Sequence, residues 1–588
     1  MTSRKAAIAF AGALLVALAF VPVVFAQEHL NDRNGIRHVL LISIDGMHAV
    51  DYENCIASNT CPHLAALGKT GVTYTRTTTS RPSDSFPGLM ALVTGGTPRT
   101  VGAFYDVAYD RVLAPPTIAT GNGLPGGTCT PNQIKGTETE YEEGVEFNQH
   151  FVNGIGPGGP YSTFDGGVKS INPMRLERDP FNNCAPVYPW NFVRTNTIYG
   201  VIHAAGGYTA WSDKHPVYAV VSGPTGTSSP SNVDDYYAPE VNSDIVSIPN
   251  FKTVTGVDCS AIAHAAGDDW TTHFDSIKCY DQLKVNAIVN EINGKNHLGT
   301  SSAPVPAILG MNYQAVSVGQ KLIEGGVLKG GYTDAAGTPT DPMLAEIKFV
   351  DATIGQMVSA LETQGLLGST AVIITAKHGQ SPIDTNRFFP IPGHSGANGT
   401  PPSGVIGGFL PAVYGLSNNT LGLAEDDISQ IWLANSADTV NAVKALETAG
   451  VTSGSDASAI GLGQIFYGAS LTTMFNAPGL PENPGPCCFL RPGGDPRTPD
   501  IIVIPNVGVV YTGSLKKQSE HGGFAHDDTN VMLLVSNPGI KTRTDTSFVE
   551  TDQVAPTILQ LLGLNPSALD AVRIEGTPVL PGLSFKEE

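Results

Sequence analysis

Four short polar segments of the sequence carry side chains that could bind a metal ion or attack an ester. Asp45 and a glycine follow an apolar run, Ser85 stands just before an apolar stretch, and His378 and His521 each precede a glycine. Taken singly, these fragments are typical of a turn, a helix cap and surface loops. Taken together, a carboxylate, a hydroxyl and two imidazoles could hold a divalent ion beside a nucleophile.

The segments around these residues alternate between strand and helix patterns. Short apolar runs predict buried strands at residues 38–44, 304–309, 371–375, 500–504 and 531–535. Continuous apolar strands are typical of a parallel sheet that is covered on both faces. We therefore predict a doubly wound, mostly parallel α/β sheet with helices on both faces, whose ligands lie at the carboxyl ends of the strands.

One long helix is predicted over residues 342–364. Asp341 could cap it, Pro342 would take its first position and Gly365 would end it. Asp351 falls at the edge of the apolar stripe of this helix, so its carboxylate needs a partner once it is buried.

The order and character of the four polar segments resemble the type I phosphodiesterase/nucleotide pyrophosphatase branch of the alkaline-phosphatase superfamily. The resemblance runs from residues 44–46 through 85–87 to 378–379 and 521–522. It implies an alkaline-phosphatase-like fold and a metal-dependent hydrolase of phosphoric esters. It also implies that Ser85 is a metal-bound nucleophile that forms a phosphoseryl intermediate. Asp45 and His378 would bind one zinc ion, and His521 would bind the other.

Two positions depart from the family pattern. Lys377 stands where a metal-binding carboxylate is expected, and Asn312 replaces an aspartate that a histidine would normally follow. An ammonium group in place of a carboxylate disfavours a divalent ion. We therefore predict one or two ions, with zinc as the expected metal and Asn312 as a weakened ligand. Lys377 could instead contact a phosphoryl oxygen and act as a catalytic residue.

Residues 207–215 look similar to a region of related sulfatases, which would make Lys214 and His215 substrate-binding residues. A pair of solvated residues after a strand explains them equally well. Sulfatases convert a cysteine or serine to formylglycine within a Cys/Ser-x-Pro-x-Arg motif. The segment from Ser85 to Leu89 has the proline but ends in leucine instead of arginine, so an unmodified serine is favoured. Hydrolysis of sulfate or phosphonate esters stays open as an alternative, as does a relative that binds phosphate or metal without turnover.

Composition restricts the partners. The formal charge is 33 − 53 = −20 and no run of lysine or arginine occurs, which disfavours a nucleic-acid polymer as ligand. A small phosphate ester remains the expected substrate. Nothing in the sequence indicates an oligomeric state.

The N-terminus predicts export. Arg4 and Lys5 precede an apolar stretch at residues 6–26, a pattern typical of a secretory signal peptide. An uncleaved anchor is the alternative, but cleavage before Gln27 is favoured, which leaves a secreted or periplasmic protein without stable membrane insertion. We expect residues 27–588 to form one catalytic domain with insertions near 121–189, 222–260 and 394–499.

The eight cysteines fit the same compartment. An even count in an exported chain predicts disulfides that clip loops. Cys55 and Cys61 are close enough in sequence to bridge locally, as are Cys259 and Cys279. The other four cysteines lie in loops rich in glycine and proline, and the sequence does not decide their pairing.

Overall fold

The computed structural model describes residues 35–118, 126–131, 133, 136–140, 167–243, 247–391, 410, 422–452, 462–475, 495–511 and 517–586. The predicted signal peptide at 1–26 lies outside the described residues, as do Cys487, Cys488 and parts of the three predicted insertions. The division into one domain with insertions stays a prediction.

Most of the described strands belong to two sheets. In chain order these strands are β1 (His38–Ile44), β2 (Gly71–Tyr74), β3 (Ala210–Ser212), β4 (Asp235–Tyr237), β5 (Ile308–Tyr313), β6 (Thr370–Thr375), β7 (Gly422–Glu425), β8 (Ser429–Trp432), β9 (Leu462–Tyr467), β10 (Ile501–Pro505), β11 (Leu533–Ser536) and β12 (Arg543–Asp545). The larger sheet has the order β12-β2-β11-β6-β1-β5-β3-β4 and the smaller one β7-β8-β10-β9.

Strand direction confirms the predicted sheet type. Every neighbouring pair in the larger sheet is parallel except the two pairs that β11 makes, with β6 and with β2. The smaller sheet is antiparallel throughout. Two-stranded pairs complete the set: Thr77–Thr78 with Val549–Glu550, Val107–Asp110 with Thr137–Glu140, Arg178–Asp179 with Ala185–Pro186, Ile323–Glu324 with Leu328–Lys329, and Phe389–Ile391 with Val509–Tyr511.

Helices lie on both faces of the larger sheet. The described α-helices are α1 (Ala49–Ala57), α2 (Pro62–Gly68), α3 (Ser85–Thr94), α4 (Pro98–Val101), α5 (Pro189–Phe192), α6 (Ile198–Ala204), α7 (Phe274–Ile292), α8 (Ala315–Lys321), α9 (Asp341–Thr363), α10 (Thr439–Thr452), α11 (Ala469–Phe475), α12 (His526–Thr529), α13 (Val554–Leu561) and α14 (Asp570–Glu575).

The central strand β1 shows how the two faces are filled. Its side chains alternate, so Val39 and Leu41 join the core formed with α3, α6 and α13. Leu40, Ile42 and Ile44 join the opposite core, formed with α7 and α9. Because both faces are covered, the apolar run of β1 is continuous rather than alternating. The doubly wound architecture expected from the sequence is therefore confirmed.

Two strand predictions need correction. The strand predicted at 304–309 begins at Ile308 and runs to Tyr313. Pro304 and Pro306 have no N–H to donate to a neighbouring strand, so the ladder starts after them. The strand predicted at 500–504 forms as β10 but belongs to the smaller sheet. An apolar run shows that a strand is buried and does not show in which sheet.

The predicted long helix is confirmed as α9, but its first turn differs. Thr340 is the N-cap and accepts a hydrogen bond from the backbone of Met343 (3.4 Å), whereas Asp341 is already the first helical residue. Asp351 is buried and finds its partner on another helix, where the backbone N–H groups of Leu64 (2.8 Å) and His63 (3.3 Å) donate to its carboxylate. Asp351 thus caps α2.

Three disulfides join the described cysteines. Cys55–Cys61 and Cys259–Cys279 are the local bridges that the spacing suggested, and Cys129–Cys184 closes a longer loop. None of the helices in the described part of the chain is long and apolar enough to cross a membrane.

Candidate active site

The candidate residues converge at the carboxyl edge of the larger sheet. Strands β6, β1, β5 and β3 are consecutive and parallel, so the residues that follow them meet at one edge. Asp45 follows β1, Lys377 and His378 follow β6, Lys214 follows β3, and Asn312 lies near the end of β5 itself. This is the edge where open α/β sheets bind ligands.

Ser85 is the first residue of helix α3, whose N-cap is Asp84. The Asp84 carboxylate accepts a hydrogen bond from the backbone of Phe86 at 3.0 Å, so Asp84, and not Ser85, caps the helix. A Cβ atom at Gly88 would lie 2.2 Å from the carbonyl oxygen of Lys377, so this glycine lets α3 approach the loop after β6. The Ser85 hydroxyl is thereby held at a helix N-terminus, which favours negative charge.

Two nitrogen atoms contact the Ser85 hydroxyl. His378 Nε2 lies 3.1 Å from Ser85 Oγ, and Lys214 Nζ donates to the same oxygen at 3.0 Å. His378 Nδ1 lies 2.7 Å from the carbonyl oxygen of Gly379. Because a carbonyl oxygen only accepts, Nδ1 carries the hydrogen, and Nε2 keeps a lone pair that can take the proton of Ser85.

Asp45 is a buried carboxylate surrounded by donors. Its Oδ2 accepts from Asn312 Nδ2 at 3.1 Å and from Gln314 Nε2 at 2.7 Å. Lys377 Nζ lies 3.3 Å from the same oxygen and His378 Nε2 lies 3.5 Å from it. Burial by itself would raise the pKa of Asp45, but the charge of Lys377 holds it well below its usual value. Asp45 therefore stays ionised.

Lys377 is completely buried between two carboxylates. Beyond Asp45, its Nζ lies 3.8 Å from Asp213 Oδ1 and 4.5 Å from the centroid of the Tyr218 ring. Trp211 Nε1 fixes the other Asp213 oxygen by donating to it at 2.8 Å. Asp213 and Gln314 were not predicted from the sequence. Asp213 directly precedes Lys214 in the segment at residues 207–215, which was the available signal for it.

The two residues predicted to bind substrate, Lys214 and His215, make different contacts in the structure. Lys214 contacts Ser85, and burial, followed by the charge of Lys377, lowers the pKa of Lys214 to about 7. His215 instead contacts Glu240 through Nδ1 (2.7 Å) and stacks on Tyr218, with ring centroids 5.9 Å apart. The structure therefore brings Lys214, but not His215, to the candidate nucleophile.

His521 lies on the outer side of the cluster. Its ring packs against that of His378, with centroids 4.1 Å apart, and its Nδ1 lies 3.5 Å from Asp84 Oδ1. Burial, followed by the charge of His378, holds the pKa of His521 well below its usual value. The side chains of His521 and Lys214 are 10% and 7% exposed, whereas Ser85 is buried, so these two form the accessible edge of the site.

The resemblance implied zinc ions here, and the donors present do not fit a two-metal centre. In the described part of the chain, no group of three or more His, Cys, Asp or Glu side chains is arranged to hold a metal. Lys377 Nζ occupies a position 3.3 Å from Asp45 Oδ2. A divalent ion and an ammonium group ~4 Å apart repel each other by roughly 8 kcal/mol at an effective dielectric constant of ~20.

The remaining oxygens are few. Asp45 Oδ1, Asn312 Oδ1 and Asp84 Oδ1 find no hydrogen-bond donor among the described residues, so they are oxygens that a cation could use. His521 Nδ1 lies 3.5 Å from Asp84 Oδ1, and Asn312 stands where the resemblance expects a metal-binding aspartate. These scattered donors beside two lysines do not make a pair of tetrahedral zinc sites.

Comparisons with known proteins were made at the level of sequence and fold. No curated protein sequence matches the chain. Among solved structures, murine ectonucleotide pyrophosphatase/phosphodiesterase 5 is 14% identical, with 90% of this chain and 96% of that chain covered and a TM-score of 0.48. An inactive variant of the murine protein in complex with AMP is 13% identical, with 90% of this chain and 96% of that chain covered and a TM-score of 0.48. The human protein is 12% identical, with 90% of this chain and 95% of that chain covered and a TM-score of 0.45.

A family model decides the assignment. The model of the type I phosphodiesterase/nucleotide pyrophosphatase family matches residues 39–243 and 317–528, which is more than half of the chain. The matched ranges contain Asp45, Ser85, Lys214, His378 and His521. The chain therefore belongs to the type I phosphodiesterase/nucleotide pyrophosphatase family of the alkaline-phosphatase superfamily, and it is a hydrolase that acts on phosphoric ester bonds.

Proposed function

We propose that this protein is an exported hydrolase of small phosphate esters that uses Ser85 as its nucleophile and forms a phosphoseryl intermediate. One observation carries the proposal. The Ser85 hydroxyl lies at the N-terminus of α3, 3.1 Å from His378 Nε2 and 3.0 Å from Lys214 Nζ. A proton acceptor and a cation thus meet at one hydroxyl, which is what attack on an anionic ester requires.

The geometry supports a two-step reaction. Ser85 Oγ attacks phosphorus, its proton passes to His378 Nε2, and the bond between phosphorus and the leaving oxygen breaks. The leaving group then takes the proton from His378. In the second step water gives a proton to His378 and attacks the phosphoserine, and Ser85 recovers the proton as the free phosphate departs. Lys214 Nζ, which donates to Ser85 Oγ at 3.0 Å, stabilises the negative oxygens in both steps.

Metal dependence is general in this family. The sequence predicts one or two ions, expected to be zinc, with Asp45, Ser85, Asn312, His378 and His521 as ligands. Because the donor set does not fit a two-metal centre, no step above is assigned to an ion. The ionised Asp45 instead holds Lys377, whose Nζ lies 3.3 Å from Asp45 Oδ2.

Export is supported by two features. The N-terminal pattern at residues 1–26 is typical of a signal peptide. The three disulfides form and persist in oxidising compartments. We place the mature protein, residues 27–588, outside the cytoplasm as a single catalytic domain.

The test is a comparison of Ser85→Ala with wild type on chromogenic phosphate monoesters, phosphate diesters and a sulfate ester. We expect wild-type turnover of a phosphate ester and a loss of at least about a thousandfold in kcat for Ser85→Ala, because no other group replaces the nucleophile. Ser359→Ala, an exposed position on α9, is the matched control and should retain full activity.

A variant that keeps more than about a tenth of the activity, a loss under ~1.4 kcal/mol, would remove Ser85 from the nucleophile role. Turnover of the sulfate ester alone would favour the sulfatase alternative. Absence of turnover on every ester would favour a binding protein.

A further inference from the structure

We infer that Lys377 and Lys214 together supply the positive charge that divalent ions supply elsewhere in the family, so that this centre binds a phosphoryl group without a bound ion. The inference rests on the proposed phosphoryl chemistry at Ser85. It is also open to a measurement that does not depend on turnover.

Lys377 is built into the centre. It takes the sequence position of a metal-binding carboxylate, and its Nζ lies 3.3 Å from Asp45 Oδ2 and 3.8 Å from Asp213 Oδ1. The Tyr218 ring lies under the ammonium group, with its centroid 4.5 Å away. Two carboxylates and an aromatic face therefore hold one cation at the place where the resemblance expects an ion and its ligand.

Lys214 places a second cation beside the first. Its Nζ lies 3.0 Å from Ser85 Oγ and 4.0 Å from Asp45 Oδ2, and 5.6 Å from the centroid of the same Tyr218 ring. Both lysines thus face one carboxylate oxygen, at 3.3 and 4.0 Å. When Lys214 is protonated, below its pKa of about 7, the two ammonium groups carry the same total charge as one divalent ion, and lysine is a common phosphate-binding residue.

Other residues around Asp45 also make the centre less suited to a metal ion. Asn312 and Gln314 donate N–H groups to Asp45 Oδ2, so these amides fill acceptor positions that a metal ion would need. The resemblance expects a metal-binding aspartate and a following histidine near Asn312, and the sequence has neither there. An added positive charge thus accompanies the loss of anionic ligands, as expected where lysines replace ions.

A single ion beside His378 would bind at two oxygens. Asp45 Oδ1 and Asn312 Oδ1 are buried and find no donor among the described residues. If the inference is wrong, zinc will be found at these oxygens with His378, and phosphate binding will depend on it. The experiment is designed around this difference.

The experiment measures zinc content and phosphate affinity on the mature full-length protein. Wild type is incubated with excess zinc, desalted and analysed by inductively coupled plasma mass spectrometry. Its affinity for inorganic phosphate is measured by calorimetry with and without EDTA. We expect less than about 0.1 zinc per chain and the same affinity in both buffers, because the cations are part of the chain.

Variants test whether the two lysines, rather than other groups, are responsible for phosphate binding. Lys377→Met and Lys214→Met should each weaken phosphate binding by at least about tenfold, since each removes one charge from the site. Lys348→Met, at an exposed position on α9, should change neither quantity. Lys377→Asp should gain about one zinc per chain. If that variant does not fold, the wild-type measurement and the methionine variants still decide.

Three outcomes overturn the inference: one or more tightly bound zinc ions in wild type, phosphate affinity that EDTA abolishes, or no phosphate binding in either buffer. Phosphate binding without zinc, accompanied by no ester turnover, would support the lysine pair and reject Ser85 as a nucleophile. Zinc-dependent turnover that requires Ser85 would support Ser85 as the nucleophile and reject the lysine pair as the source of charge.

Discussion

The pKa of Asp106, a buried residue close to the N-cap of α3, is shifted by its surroundings. Its backbone N–H donates to Asp84 Oδ2 at 3.1 Å, so two carboxyl groups lie together behind the start of α3. Burial, followed by the charge of Asp84, raises the pKa of Asp106 to about 8. Asp106 is therefore mostly protonated at neutral pH. A second negative charge beside Asp84 would oppose the anionic substrate, and this arrangement avoids it.

The raised pKa predicts a pH-dependent stability. The unfolded chain ionises Asp106 from about pH 4, whereas the folded protein does so only near pH 8, so wild type loses stability as pH rises through this window. Asp106→Asn has no such loss and keeps the acceptor for Val107 N. Between pH 4 and pH 8, its stability relative to wild type should rise by about 2 kcal/mol or more.

Chemical denaturation at a series of pH values measures this change. Asp341→Asn, at an exposed position, is the control and should follow wild type. Parallel pH profiles for Asp106→Asn and wild type would show that Asp106 is already ionised in the folded protein.

Elements were predictable where a local signal specifies them. β1 forms at His38–Ile44 as the apolar run predicted, and α9 is displaced by one residue from its prediction. Partners between elements were not predictable. Asp351 was recognised as needing a buried partner, but the packing of α9 on α2, which supplies the amides of His63 and Leu64, is a tertiary contact.

The capping role of Asp351 predicts a stability loss between two helices. Cys61 is the N-cap of α2 and makes no side-chain cap hydrogen bond, so removal of the Asp351 carboxylate leaves buried N–H groups unpaired. Asp351→Ala should lower the free energy of unfolding by about 1–3 kcal/mol. Glu362→Ala, exposed on the same helix, should change it by less than about 0.5 kcal/mol. Unfolding in guanidinium chloride measures both variants. Equal losses of unfolding free energy in Asp351→Ala and Glu362→Ala would contradict the capping role of Asp351.

The same contrast holds for the whole molecule. The convergence of Asp45, Ser85, His378 and His521 was predictable because each stands in a short motif that resembles the family pattern, whereas their roles stay predictions. Asp213 and Gln314 were not predictable, because their partners are set by the order of strands in the sheet. The smaller sheet was also missed, since its strands at residues 422–505 have the same apolar character as those of the larger sheet.

The proposed function depends on a covalent bond between Ser85 and the substrate phosphorus. The direct measurement is acid quenching of the wild-type protein during turnover of its best phosphate ester, followed by peptide mass spectrometry. We predict a phosphoryl group on the peptide that contains Ser85, present during turnover and absent once substrate is exhausted, and absent throughout in Ser85→Ala. Active enzyme that shows no phosphoserine in rapidly quenched samples, or carries it on another residue, would contradict the account.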